Sequence, residues 1–177
     1  MAPNILVLGG QRSGKSRKAE ELVSSAGGDC VYVATATAGD AEMGDRIARH
    51  RTRRGAGWRT VEEPLDLPAV LDREALPGRA VLVDCLTLWL SNLFGADRDV
   101  AAETDRLVAV LGKTGCPVVI VSNEVGSGII PMNALARRYA DAHGILNQRV
   151  AAIADRVILM AAGIAMPIKP SPFPEFA

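Results

Sequence analysis

The 177-residue sequence has only two histidines, three cysteines and a 4% share of aromatic residues. It also has no net charge, because twenty Lys and Arg offset twenty Asp and Glu. Cys30, Cys85 and Cys116 are an odd number without metal-ligand spacing, and each adjoins apolar, strand-like sequence. They read as buried free thiols in a reducing cytoplasm, not as a disulfide framework or a zinc site. A nucleic-acid track needs a sustained positive field with interleaved aromatics, and the chain offers neither. A membrane span needs an apolar run of about 18 residues, and none is present. The opening "MAPNILVLGG" lacks a basic n-region and enters a strand and glycine turn at once, so it does not read as a signal peptide. The expectation is a cytoplasmic protein without a membrane span.

What is present is an alternation of short apolar runs and helical patterns. "NILVL" (Asn4–Leu8) leads to a helix through Ala26, with Ala19, Leu22, Val23 and Ala26 on one stripe. "VYVAT" (Val31–Thr35) precedes a basic helical segment, and "AVLVD" (Ala80–Asp84) runs into "CLTLWLSNLF". A helical pattern covers Asp99–Lys113, and "PVVIVS" (Pro117–Ser122) leads to two more, near Asn133–His143 and Ile145–Ala154. "DRVILM" and "IAMPIK" follow. Near-continuous apolar strands between helices predict an α/β fold, a mostly parallel sheet with helices on both faces. The length fits one domain, expected over residues 1–169, with proline-punctuated residues 170–177 as a loose tail.

Between the first strand and its helix lies "GGQRSGKS": Gly9, Gly10, Gln11, Arg12, Ser13, Gly14, Lys15 and Ser16. It satisfies G-x-x-x-x-G-K-[ST], a P-loop whose N–H groups face an anion at the positive end of a helix. Lys15 would reach the β- and γ-phosphates of ATP or GTP, and the Ser16 hydroxyl would ligate Mg²⁺. The second metal-ligating group is expected at Asp84, which ends the apolar strand "AVLVD". An acid in that place also serves as a helix cap, and spacing does not separate the two roles.

The segment "DRIARHRTRR" (Asp45–Arg54) sets His50 among five arginines. On a helix, Met43, Ile47, His50 and Arg54 fall close to one face, so His50 shares a side with apolar residues. One reading is a partly buried histidine ringed by surface arginines. The other is a nucleophile: nearby arginines disfavour protonation of the imidazole and would stabilise charge on a triphosphate under attack. Spacing permits both. His143, before Gly144 at an apparent helix–helix junction, reads as structural and, at a helix C-terminus, as protonated. Trp58 and Trp89 read as packing residues in helix or loop.

Taken together, "GGQRSGKS", "VYVATA", "AEMGDRIARHRTRR", "WRTVEEP", "DCLTLWLSN", "SNEVGSGIIP" and "GILNQRVAAIADRVILM" resemble, in that order, one family. It is the adenosylcobinamide kinase/adenosylcobinamide-phosphate guanylyltransferase family of cobalamin biosynthesis, matched from Asn4 to about Lys169. The resemblance implies a RecA-like P-loop sheet, a homotrimer, and a corrinoid substrate, adenosylcobinamide or its phosphate. It implies phosphorylation of the aminopropanol hydroxyl with ATP or GTP, then GMP transfer from GTP through a guanylylated histidine, giving adenosylcobinamide-GDP and pyrophosphate. The family's histidine lies in the segment matching "RIARHRTRR", so the resemblance assigns that role to His50, with Lys15 as the other catalytic residue. It also assigns nucleotide contacts to Gly9–Ser16, to Ala34, Thr35 and Ala36, to Arg51, Thr52, Arg53 and Arg54, and to Glu62 and Asp84. Asn123 and Glu124, after a central strand, are suspected of a site role on position and serve equally well as turn and capping residues.

Two other function classes fit parts of the pattern. A single-function P-loop kinase of a small molecule would explain the glycine loop and Asp84 and leave His50 a bystander. A nucleic-acid-stimulated ATPase module would make the arginine run a phosphate track, against the neutral charge and the scarcity of aromatics.

Overall fold

The computed structural model describes residues 2–36, 57–128 and 130–170. Seven strands form one sheet: β1 (Asn4–Gly9), β2 (Asp29–Ala34), β3 (Trp58–Glu62), β4 (Arg79–Asp84), β5 (Val118–Val121), β6 (Arg156–Ala161) and β7 (Ile164–Lys169). Their order is β3-β2-β4-β5-β1-β6-β7, parallel throughout except for β7, which returns antiparallel on β6. The described helices are α1 (Lys15–Ala26), α2 (Leu67–Glu74), α3 (Leu86–Gly95), α4 (Val100–Leu111) and α5 (Ala134–Ile153).

Side chains alternate across a strand, so each buried strand must feed two cores. Ile5 and Val7 face α1, where they join Ala19, Val23, Leu82, Val121 and Ile158. Leu6 and Leu8 face the other way, into a larger cluster with Leu71, Trp89, Leu107, Leu146 and Val150 from α2 to α5. The predicted mostly parallel sheet, covered on both faces, is therefore what forms. Ala26, expected on the buried stripe of α1, is exposed at the helix end, and Leu22 is half-buried. Cys85 and Cys116 are buried free thiols as expected, whereas Cys30 is only half-buried.

Two corrections concern local structure. Trp58 opens the edge strand β3, outside any helix or loop. The patterns predicted near Asn133–His143 and Ile145–Ala154 form one helix, not two: α5 (Ala134–Ile153) runs through Gly144, with His143, Leu146, Asn147 and Val150 buried at i, i+3, i+4 and i+7. A helix-interior glycine costs about 1 kcal/mol against alanine, and a continuous packed stripe outweighs it. Trp89 packs as expected, fully buried, and its indole N–H donates to Leu65 O at 2.8 Å.

Away from the carboxyl ends of the strands, the buried Glu74 carboxylate gathers Arg59, Arg73 and Arg79. The hydrogen bond from Arg59 holds its carboxyl below the ordinary range, against a desolvation that acts the other way. A lowered folded-state value means stability that is present above the unfolded value, about 4.3, and is lost as pH falls through the folded one. Glu74→Gln is therefore expected to cost about 2 kcal/mol near pH 7, because the partly exposed arginines keep access to water. Urea titrations of both proteins should converge only as pH falls through that lowered folded-state value, and a constant difference across pH would rule out the ionic origin.

Candidate functional site

The glycine loop leaves the carboxyl end of β1 and opens α1. Gly9 has φ 149°, and a Cβ placed there would lie 2.4 Å from Met160 O and 2.8 Å from Ser13 Oγ, so only glycine fits. Gly14, the residue before α1, is left-handed with φ 99°, a conformation that costs a side-chain-bearing residue about 1–2 kcal/mol. The N–H groups of Gln11, Arg12 and Gly14 have no backbone acceptor among the described residues. The first turn of α1 contains no acidic residue, so nothing there cancels the positive helix end. Lys15 is 7% exposed and curls back to donate from Nζ to Gly10 O at 2.6 Å. Ser13 Oγ is buried without a hydrogen-bond partner among the described residues. Convergent donors, a held ammonium and a helix N-terminus make a concavity suited to a polyphosphate.

The neighbouring strand ends align in register, Glu62 beside Ala34 and Ala34 beside Asp84. Glu62 is exposed, and Asp84 is half-buried with its Oδ2 accepting from the Tyr32 hydroxyl at 3.2 Å. Asp84 stands just before α3, whose first flanking residue is Cys85 and which has no side-chain cap, so helix capping is not its role. Thr35 is fully buried: its Oγ1 donates to Cys85 O and accepts from Cys85 N, both at 2.8 Å. Its hydroxyl thus ties β2 to β4, and the backbone here is engaged as well: Thr35 N donates to Asp84 O at 3.2 Å, and Ala34 O accepts from Glu63 N at 2.9 Å. Asn92 clamps the same edge by donating to Thr35 O at 2.7 Å and Pro64 O at 3.0 Å. Burial, with the Asp84 charge behind it, pushes the Cys85 thiol up to about 11, so it stays protonated.

Asn123 and Glu124 follow β5 and lie beside the loop, with Glu124 N donating to Gly9 O at 3.1 Å. Beneath them sits a polar cluster that sequence reasoning missed: Thr87, Ser122, Tyr139 and Asn147 around His143. His143 is fully buried in mid-helix, and burial pushes it down to about 4. The expected protonated histidine at a helix end is thus a neutral one in a helix interior.

A cavity of about 610 Å³ opens between Gly10–Ser13, Glu124, Ser127 and the β6–β7 hairpin. Leu8, Leu159 and Ile168 form its apolar wall, and Gln11, Arg12 and Glu124 its polar rim. The glycine loop, Asp84, Glu62, Asn123 and Glu124 thus share the carboxyl edge of the sheet, where open α/β sheets place ligands. His50, Arg51, Thr52, Arg53 and Arg54 lie outside the described residues, as do residues 171–177 of the expected tail.

The donor set at this edge is oxygen: the Ser16 hydroxyl and the Asp84 carboxylate, which suit Mg²⁺. Among the described residues no group of three or more His, Cys, Asp or Glu gathers to enclose a metal ion. An ion there would take its remaining ligands from phosphate and water, as Mg²⁺ does.

Residues 5–168 match the family described as cobinamide kinase / cobinamide phosphate guanyltransferase. The bifunctional adenosylcobalamin biosynthesis protein CobP of Pseudomonas aeruginosa is 51% identical over 169 residues, covering 94% of this chain and 98% of that protein. The bifunctional adenosylcobalamin biosynthesis protein CobU of Escherichia coli is 39% identical, covering 93% of this chain and 99% of its own. The solved structure of the RadB recombinase covers 89% of this chain and 74% of its own at TM-score 0.53 and 18% identity, a likeness of fold alone. No described helix is long and apolar enough to cross a membrane. The chain belongs to the cobinamide kinase / cobinamide phosphate guanyltransferase family.

Proposed function

We propose that this chain phosphorylates the aminopropanol hydroxyl of adenosylcobinamide with ATP or GTP and then transfers GMP from GTP to that phosphate. The observation that carries the reading is the family match over residues 5–168, with the glycine loop opening a helix beside Asp84 at the carboxyl edge of the sheet. In the first reaction the hydroxyl oxygen attacks the γ-phosphorus, the bond to the β-bridging oxygen breaks, and the nucleoside diphosphate leaves. The loop N–H groups and Lys15 bind the phosphates and offset the charge that moves onto the leaving oxygen. Ser16 and Asp84 would hold Mg²⁺, which when bound neutralises β- and γ-phosphate charge.

In the second reaction a neutral nitrogen of His50 attacks the α-phosphorus of GTP and pyrophosphate leaves. A phosphate oxygen of adenosylcobinamide phosphate then attacks the same phosphorus, the N–P bond breaks, and adenosylcobinamide-GDP is released. Arg51, Arg53 and Arg54 follow the nucleophile closely in sequence and suit the triphosphate by charge. Thr52, Glu62, Ala34, Thr35 and Ala36 complete the nucleotide contacts. The catalytic domain spans residues 1–169, its sheet is of the RecA-like P-loop class, and it works in the cytoplasm as a homotrimer.

Parallel incubations with γ-³²P-GTP and α-³²P-GTP test both halves. The γ label is expected on adenosylcobinamide, and the α label on the denatured protein in an acid-labile, alkali-stable form, as a phosphoramidate behaves. Transfer of the γ label with no α label on protein would leave a kinase without the guanylyl step.

A further inference from the structure

His143 in α5 sits one helical turn from Asn147; His143 faces Thr87 in the first turn of α3, and both face the residues that follow β5. The donors and acceptors there admit one consistent assignment. Asn123 O can only accept, so the group facing it at 3.0 Å is the Asn147 amide nitrogen. The same nitrogen lies 3.3 Å from His143 Nδ1, which must then be the unprotonated ring nitrogen. The single ring proton is on Nε2, directed at Thr87 Oγ1 at 3.1 Å and Ser122 Oγ at 3.3 Å. Ser122 in turn donates to Asn147 Oδ1 at 2.7 Å, which closes the ring of bonds. Thr87 Oγ1 accepts from Asn123 N at 3.0 Å, and the Tyr139 hydroxyl fixes Thr87 from outside by donating to its carbonyl at 2.7 Å.

Asn123 is therefore held at both its N–H and its C=O by side chains of this cluster. The peptides on either side are tied to β1 and the glycine loop, Ser122 N to Val7 O at 3.0 Å and Glu124 N to Gly9 O at 3.1 Å. Apolar residues at 143 and 147 would fill the space without desolvating a ring and an amide, but they would leave the Asn123 carbonyl without its donor and the Thr87 and Ser122 hydroxyls without the ring between them. What the polar cluster supplies is one position for the segment beside the loop.

We propose that His143 and Asn147 are positioning residues for phosphoryl transfer, acting through Asn123 and Glu124 on the geometry of the glycine loop. This rests on the kinase reading of the site. Asn147→Asp keeps the shape and the Ser122 contact but can no longer donate to Asn123 O. Thr87→Val keeps the shape but removes the acceptor for Asn123 N–H, and it serves if the first variant does not fold. Each is expected to lower kinase kcat at least tenfold, with KM for the nucleotide within twofold of wild type. His143→Gln, whose amide can present an acceptor to Asn147 and a donor to the hydroxyls, is expected to recover most of the kcat that His143→Leu loses. Wild-type kcat per folded molecule in Asn147→Asp and Thr87→Val, or an effect confined to KM or Tm, would overturn the positioning role. Absence of kinase turnover in the wild-type protein itself would overturn the assigned reaction instead.

Discussion

Replacing Lys15 with alanine is expected to lower kinase kcat by on the order of 10²–10³-fold, the usual loss when one preorganised charge or donor is removed from a developing anion. Lys15 is 7% exposed, and its ammonium rests on the Gly10 carbonyl at 2.6 Å, inside the loop that it would have to serve. What should vanish is the rise in Tm that a nucleotide confers by binding the native state. Lys15→Met, which keeps most of the aliphatic stem, separates packing from charge and should behave like alanine in turnover. Lys15→Arg should not restore it, because a planar, forked guanidinium does not replace a compact ammonium on a curled stem. Unchanged turnover in Lys15→Ala, measured with saturating nucleotide, would remove the glycine loop from the reaction.

How much of this could be read beforehand depended on how local each feature was. The glycine loop is legible because every donor in it comes from eight consecutive residues, and Gly9 and Gly14 occupy places that only glycine tolerates comfortably. The strands β1, β4 and β5 are legible because a strand buried on both faces is apolar at nearly every position. Edge strand β3 was not, since "WRTVE" carries Arg59 and Glu62 on its exposed positions and has no continuous apolar run. The eight-residue α2, with Pro68 near its start, is too short to display a period. Gly144 misled for a physical reason: a glycine after a histidine imitates a helix stop, and only the buried stripe continuing through Leu146 and Val150 overrules it. The cluster around His143 was invisible in principle. Residues 87, 122, 143 and 147 meet only because the start of α3, the end of β5 and α5 are brought together by the sheet order, and nothing in their spacing announces it.

The second large effect concerns His50. His50→Asn is expected to reduce the acid-labile guanylyl label to background while γ-phosphoryl transfer stays measurable, because the two reactions use different nucleophiles. The chain has only two histidines, which makes the assignment a choice between two residues. His143 is fully buried and engages both ring nitrogens, Nδ1 with Asn147 and Nε2 with Thr87 and Ser122, so it presents no lone pair to a phosphorus atom. A phosphoramidate on histidine therefore has one place to form. Asparagine at position 50 keeps a polar group of similar reach but lacks a nucleophilic ring nitrogen, so any loss reflects the bond and not a vacancy. His143→Gln is the matching control and should retain the label, even where its kinase rate falls. Label persisting at wild-type level in His50→Asn would end the assignment. Label lost from His50→Asn and kept in His143→Gln would fix the N–P bond on the histidine that lies among the arginines of residues 45–54.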